Sequence, residues 1–398
     1  MQPKTVAFFA SAFHPHIGGV EECCRQLAHQ YRARGVKVIV LTNRWPRSLP
    51  EEEVFEGIPV YGLAMRVAGP SLKSKLTAFV TASLIRRRML QILRQHRVEM
   101  LHVHCVSLNA VYAMAAQKAL SLPLVVTLHG ELNMDAGGLF HRERWAQHAL
   151  RDSLRRADYI TACSEQTLAE AETWYGKSLR KKGAAIHNGI AATGEAAPYP
   201  HPNPYVLAIG RHVPQKGFDV LLQAMAKLAN FSLPRVDLIL AGDGPEHAAL
   251  QAKAAELRLT KQVHFPGRVD HATALRLFAG CLFFTLPSRQ EPFGLVNLEA
   301  MLAKRAVIAS RVGGVPEIVE DQQTGLLVPP ENPEALTGAI VRLLTNIPLR
   351  RRLAAAGYER AQDFTWARAV DRYFEVYAQL LGPTASHKES AVSQLQAA

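Results

Sequence analysis

The sequence predicts an α/β protein of two domains, each a parallel sheet covered by helices. Three observations carry this expectation. At 398 residues the chain is longer than one typical core encloses. Short apolar runs alternate with amphipathic segments along most of its length, the pattern of strands buried on both faces and connected by helices. The alternation is interrupted once, by Ala191–Pro204, a stretch rich in Ala, Pro and Gly without periodicity, which reads as the domain boundary.

Before that boundary, Thr5–Ala10, Val36–Leu41, Met100–Cys105, Leu124–Leu128 and Tyr159–Ala162 read as strands, because β-branched and large apolar residues run together between turn residues. Helical periodicity covers Val20–Arg34, Lys73–Gln95, Leu108–Ala119, His141–Arg155 and Glu165–Tyr175. Arg44–Gly57 and Asn133–Gly138 read as loops. After the boundary come strands at Tyr205–Ile209, Val236–Ala241, Val263–Phe265, Leu282–Leu286 and Ala306–Ala309, each followed by a helical segment. Thr365 is a candidate N-cap for a last amphipathic helix carrying Trp366, Val370, Tyr373, Phe374, Tyr377 and Leu381. The expected organisation is a first domain at 1–190, a second at 205–363, the last helix at 364–382 and a disordered tail at 383–398.

Composition bounds the function. No run approaches the roughly 18 apolar residues of a membrane-spanning helix. Met1-Gln2-Pro3-Lys4 leads straight into an apolar strand without a signal-like region, so the expectation is a cytoplasmic protein. Cys23, Cys24, Cys105, Cys163 and Cys281 show neither paired nor metal-ligand spacing and read as reduced, buried thiols. Residues 1–190 hold 25 Lys and Arg against 15 Asp and Glu, so +10 of the formal +12 lies in the first half and points to an anionic partner there.

The stretch with most chemistry is Glu291-Pro292-Phe293-Gly294-Leu295-Val296-Asn297-Leu298-Glu299-Ala300, after the apolar run Leu282–Leu286 and at the start of a helix. Gly294 stands where free backbone N–H groups and the helix dipole favour an anion, and glycine lets a ligand approach closely. A phosphate held by the N–H groups, with sugar hydroxyls on Glu291 and Glu299, is one reading. Two solvated surface acids are the other. Upstream, Gly18-Gly19 follows the first strand, where two glycines suit a tight turn or close contact with a pyrophosphate or acceptor. The spacing is not the G-x-G-x-x-G of dinucleotide folds. Arg211 and Lys216, between Gly210 and Gly217, are two cations able to stabilise a departing diphosphate, or two solvent-facing loop residues. No Asp-x-Asp pair stands in the strand-end loops, so no metal is expected.

The Glu-x7-Glu spacing around Phe-Gly resembles the signature of retaining glycosyltransferases of family 4, the group 1 transferases, which have the GT-B fold. The same family's pattern continues in Gly18-Gly19, His129-Gly130, Gly210-Arg211 with Lys216-Gly217, Gly242-Asp243-Gly244-Pro245 and Gly313-Gly314-Val315-Pro316-Glu317. The resemblance spans roughly residues 4–381. It implies two Rossmann-like domains facing across a cleft, with the last helix returning to brace the first. It further implies transfer of a sugar from a nucleotide diphosphate sugar to a lipid-linked or saccharide acceptor, with no cofactor and no nucleic acid partner.

Several roles follow from the resemblance. Arg211, Lys216 and the N–H groups of Leu295 and Val296 hold the diphosphate, beside Phe293 and Gly294. Glu299 receives ribose hydroxyls and Glu291 orients the donor sugar. His129 lies next to the transferred sugar; a histidine merely capping its strand is the ordinary alternative. Gly267-Arg268-Val269 resembles the segment that meets the base, which makes Arg268 and Val269 candidates. Ser71–Arg97 has seven basic residues and no acid, so it reads either as a helix packed on the first sheet with its cations in water or as an attachment to an anionic membrane. Two other functions fit the same features: a nucleotide-sugar epimerase or hydrolase, and an inactive basic-surface binding protein.

Overall fold

The computed structural model describes residues 2–16, 18–65, 72–134, 138–191, 194 and 196–382, with the backbone alone at 72–79, 133 and 134. The predicted tail, 383–398, lies outside the described residues. The chain divides into two compact units, one of Met1–Ile186 with Trp366–Ala398 and the other of His187–Thr365.

The first unit is built on eight strands: β1 (Thr5–Ala10), β2 (Lys37–Asn43), β3 (Glu52–Phe55), β4 (Ile58–Leu63), β5 (Met100–His104), β6 (Leu124–Leu128), β7 (Tyr159–Ala162) and β8 (Gly183–Ala185). Their spatial order is β3-β4-β2-β1-β5-β6-β7-β8. All pairs are parallel except β3 with β4. Every residue of β1, β5 and β6 is buried, as expected of strands covered on both faces. The order reverses at β1, which pairs with both β2 and β5. The carboxyl ends of β1 and β5 are therefore where a ligand crevice belongs.

The last helix, Trp366–Leu381, belongs to this unit, and buried polar contacts fix it there. Tyr31 donates its hydroxyl to Tyr377 at 3.0 Å. The Tyr377 hydroxyl lies 2.6 Å from His102 Nδ1, whose Nε2 lies 2.6 Å from Thr127 Oγ1. Thr127 in turn meets Thr161. One polar chain thus ties the helices Gly19–Ala33 and Trp366–Leu381 to β5, β6 and β7.

The second unit carries β9 (Tyr205–Ile209), β10 (Asp237–Ala241), β11 (Val263–His264), β12 (Phe283–Leu286), β13 (Ala306–Ser310) and β14 (Leu326–Val328) in the order β11-β10-β9-β12-β13-β14. All of its pairs are parallel, and the order reverses between β9 and β12. Its core packs Val206, Leu238, Phe283 and Ile308 of the sheet against Phe218, Leu221, Leu336 and Ile340 of the covering helices.

Two expectations are corrected here. Ala191–Pro204 is not a free boundary. Just before it, Ile190 N–H donates to Phe364 O at 2.8 Å; within it, Tyr199 N–H donates to Arg276 O at 2.8 Å and His201 meets Asp237, so the 196–204 part is held on the second unit and the division falls at Ile186/His187. The expected loop Arg44–Gly57 contains β3. Its Glu52-Glu53 start is polar because the strand sits at the sheet edge, with a mixed exposed and half-buried pattern. Of the other expected loop, Glu131–Met134 is helical and 135–137 lies outside the described residues. Among the described residues, no helix is long and apolar enough to cross a membrane.

Candidate functional site

In the second unit, the strand-end loops singled out in the sequence meet one another at the carboxyl end of the sheet. The loop after β9 runs from Gly210 to Gly217 and includes the short 3-10 turn Pro214–Lys216. Gly217, at φ 63°, closes against the loop after β12: a Cβ there would sit 2.2 Å from Pro287 O. Arg289 reinforces that junction. Its guanidinium donates to both oxygens of Asp219 at 2.8 Å, and its N–H donates to Gln215 O at 2.7 Å. Burial alone would push the Asp219 carboxyl up, but Arg289 overrides it and holds the group below its ordinary range. The turn after β10 closes from the other side, where Gly242 N–H donates to Gly267 O at 2.8 Å.

Lys216 points back into this junction, with Nζ 2.5 Å from Glu291 Oε2. Both side chains are largely buried, at 13% and 8% exposure. Ser288 Oγ lies 3.3 Å from the same carboxylate oxygen. The Glu291 carbonyl accepts from Gly314 N–H at 3.1 Å. A Cβ on Gly313 would lie 1.9 Å from that carbonyl, so glycine is required there. The loops after β9 and β13 therefore hold Glu291 from both sides.

Gly294 adopts φ 97° and opens the helix Leu295–Leu302 with no side-chain cap. That leaves the first N–H groups, including those of Leu295 and Val296, as unsatisfied donors with the positive end of the helix dipole behind them. Leu295, Val296 and Glu299 are half-buried, while Phe293 is buried and stacks on His187 at 5.5 Å between ring centres. Asn297, one turn in, is fully buried, and both atoms of its amide lack a hydrogen-bond partner. The arrangement can bind an anion on the helix end and Lys216, with Glu291 and Glu299 as acceptors for hydroxyls.

The remaining candidates lie at several places. Arg211 is exposed at the carboxyl end of β9. Arg268 is exposed and Val269 half-buried just beyond Gly267. His212, which the sequence reading passed over beside Arg211, is buried, and its Nδ1 lies 3.0 Å from His247 Nδ1. Burial pushes His212 down to about 4.

His129 belongs to the first unit, at the end of β6. It is buried, its Nε2 lies 3.3 Å from His104 Nδ1, and burial pushes it down to about 4, so it is neutral near pH 7. Its backbone N–H donates to Glu131 Oε2 at 2.7 Å, while Val106 N–H donates to Glu131 Oε1 at 2.7 Å. Glu131 and His104 were missed in the sequence. An acid directly after a strand-terminal His-Gly was the available signal. Gly18 corrects the expected tight turn: its φ of −170° is extended, and Gly19 already begins a helix with open space at its Cβ position. Gly18 instead lines a cavity of about 290 Å³ with Phe13, His14, Glu21, Arg25 and Phe55.

Comparison with known proteins decides the family. The model of glycosyl transferases group 1 matches residues 195–360, and that of glycosyltransferase family 4 matches residues 17–193. The chain belongs to the group 1, family 4 glycosyltransferases. A glycogen synthase of Mycobacterium tuberculosis is 29% identical to this glycosyltransferase, over 91% of both chains. A phosphatidyl-myo-inositol mannosyltransferase of Mycobacterium leprae is 29% identical, over 90% of this chain and 92% of the other. Among solved structures, Anabaena HepE in complex with UDP and glucose superposes with a TM-score of 0.74 at 22% identity, over 94% of this chain and all of the other. The two parallel-sheet units are those of the GT-B fold.

Proposed function

We propose that this glycosyltransferase takes its sugar from a uridine diphosphate donor and passes it to an acceptor hydroxyl with retention of the anomeric configuration, without a metal at the reacting phosphates. The observation that supports this most is the Lys216–Glu291 contact beside the uncapped start of the helix Leu295–Leu302. A diphosphate on that helix end places its charge next to Lys216, and Arg211 is the second cation of the same loop. As the bond to the sugar breaks, charge grows on the diphosphate, and fixed cations and N–H donors lower the barrier most at that stage. Glu291 then takes donor-sugar hydroxyls and Glu299 the ribose hydroxyls.

Neutral His129 carries the family-implied place beside the transferred sugar, as a hydrogen-bond partner rather than a cation. None of these roles supplies a nucleophile to the anomeric carbon. The reading is therefore front-face displacement, in which the leaving phosphate takes the acceptor proton on the face it departs from. The fold shared with the UDP-bound HepE supports uridine as the base. The mannosyltransferase relative supports a lipid-linked acceptor, as does the pairing of exposed Val80 and Leu84 with exposed Arg86 and Arg87 on one helix of the first unit.

A thermal-shift panel of UDP, GDP and ADP tests the base, since a ligand of the native state alone raises the melting temperature. UDP should stabilise most. Turnover of the matching sugar donor should survive EDTA, and proton NMR of the product should show the donor's anomeric configuration. An inverted product, or activity lost in EDTA and restored by Mg²⁺, would overturn the mechanism.

A further inference from the structure

We infer that His201, Asp237 and His264 form a binding site for a borderline transition-metal ion of the Zn²⁺ class, at the opposite end of the second sheet from the donor loops. The three residues come from three adjacent segments. His201 lies in the stretch leading to β9, Asp237 opens β10 and His264 ends the edge strand β11. His201 Nε2 is 2.9 Å and His264 Nε2 is 3.1 Å from the same oxygen, Asp237 Oδ2. The three atoms all lie within 4.8 Å of one another. A tetrahedral ion with bonds of about 2.0–2.1 Å sets its ligand atoms on the order of 3.3 Å apart, so each imidazole nitrogen needs to move away from Asp237 Oδ2 by only a few tenths of an ångström.

Two further observations favour an ion over a plain hydrogen-bond cluster. Asp237 Oδ2 also receives Asn203 Nδ2 at 3.0 Å. Three donors therefore converge on one oxygen with about two lone-pair sites, and a single cation in place of two N–H protons relieves that crowding. The supports of a metal site are also present. Arg235 Nε donates to the other oxygen, Oδ1, at 3.1 Å, and with Asn203 it fixes the carboxylate plane. Asp237 is 1% exposed, His201 10% and His264 40%, so the cluster is rooted in the core and open to solvent on one side only. Two imidazoles and one carboxylate with an open fourth position suit Zn²⁺ or Co²⁺ and are poor for Mg²⁺ or Ca²⁺.

The site is not placed to touch the reaction. Gly210 and Gly242 follow the carboxyl ends of β9 and β10, whereas Asp237 stands at an amino end, about 13 Å of strand away. An ion there would clip the 196–204 stretch to β10 and β11. That role fits a segment which runs without secondary structure yet is held against the sheet.

Tag-free protein, stripped with EDTA and returned to neutral buffer, would be titrated with Co²⁺ and then Zn²⁺. The expected result is a visible band of four-coordinate Co²⁺ saturating at one equivalent, displaced by Zn²⁺, with a Zn²⁺-dependent rise in melting temperature. Both signals should vanish in His201→Ala and in His264→Ala, the second altering a side chain exposed enough to leave the fold intact. They should persist in His247→Ala, which removes the His212–His247 pair of the same unit. No Co²⁺ band at micromolar metal, or a band lost in His247→Ala and kept in His264→Ala, would overturn the assignment. The readouts do not depend on sugar transfer.

Discussion

Lys216 and Glu291, 75 positions apart in the chain, meet at 2.5 Å between Nζ and Oε2, at the junction of the loops after β9 and β12. The contact makes each residue a support for the other before any donor binds. Lys216→Ala leaves a largely buried carboxylate without its cation, and breaking such a pair from one side costs about 3 kcal/mol. The variant should therefore melt several degrees lower and also lose turnover, by about 10²–10³ by analogy with removal of one oxyanion donor. Arg211→Ala, at an exposed residue, should lose turnover with little change in melting. Glu291→Gln combined with Lys216→Met should recover stability and not activity. Equal melting temperatures of wild type and Lys216→Ala would remove the pair from the stability argument.

Gly313 and Gly294 are the glycines on which the site depends. Gly313→Ala forces a Cβ to within 1.9 Å of the Glu291 carbonyl at φ 52°, and backbone must move to admit it. Gly294→Ala strains φ 97° and brings a Cβ within 2.7 Å of the buried Asn297 amide. Strain of this kind costs on the order of 1–3 kcal/mol. Gly19→Ala, with open space at its Cβ, is the contrast. Nucleotide affinity measured by calorimetry should fall at least tenfold in the first two variants and remain within twofold in the third.

The parts legible in the sequence are those fixed by local pattern. Leu124–Leu128 and Tyr205–Ile209 are read to the residue because a strand buried on both faces is a nearly continuous apolar run. β8 and β14, three residues each, offer too little pattern to register, and β3 hides behind Glu51-Glu52-Glu53. Motif residues such as Glu291 and Gly294 were found from spacing. Their contacts were not, because Lys216–Glu291 and Arg289–Asp219 join loops that only the sheet order brings together. The same holds for His104 beside His129: the strands are read one at a time, but the register that pairs β5 with β6 is tertiary.

Three buried histidines make the first unit sensitive to mild acid. Burial, joined by the neighbouring imidazoles, holds His102 and His104 well below their ordinary range, and burial alone holds His129 at about 4. The unfolded value is about 6.5, so between the two values the unfolded chain binds more protons and stability falls as pH falls. Each group contributes about 1.4 kcal/mol per pH unit while it differs in protonation between the states. The surrounding hydroxyls of Tyr31, Tyr373, Tyr377, Thr127 and Thr161 supply no counter-charge. The melting temperature should drop steeply from pH 7 to pH 5, and His102→Gln should flatten that slope even while lowering the value at pH 7. A pH-independent melting temperature over this range would contradict the buried-neutral reading.

Glu299 sits half-buried on the helix that Gly294 opens, one residue into its second turn. As acceptor for ribose hydroxyls it contributes a charged hydrogen bond worth about 1.5–3 kcal/mol. Glu299→Ala should weaken binding of UDP by one to two orders of magnitude with circular dichroism unchanged. Glu299→Asp, shorter by one methylene, should fall between. Unchanged nucleotide affinity in Glu299→Ala would place the ribose elsewhere.

The helix Leu72–Gln95 splits its apolar residues in a way the sequence did not foretell. Ile85, Met89, Ile92 and Leu93 enter the core of the first unit, while Val80 and Leu84 remain 51% and 63% exposed. Arg86, Arg87 and Arg88 are exposed in the following turn, but Arg88 is already paired with Glu52. The exposed cations beside Val80 and Leu84 are therefore Arg86 and Arg87, with Leu84 as the apolar contact; Arg94 and Arg97 are exposed further along, and the side chains of Lys73 and Lys75 lie outside the described residues. At about 1 kcal/mol for each near-surface cation, Arg86→Ser with Arg87→Ser should lower vesicle affinity about thirtyfold, and Arg88→Ser far less. Co-sedimentation with vesicles should rise with anionic lipid and fall with salt, because screening shortens the reach of each charge. Leu84→Ser should weaken binding at every salt concentration, since the apolar contribution is not screened. No pelleting with anionic vesicles at low salt would leave this helix a core element with a solvated basic face.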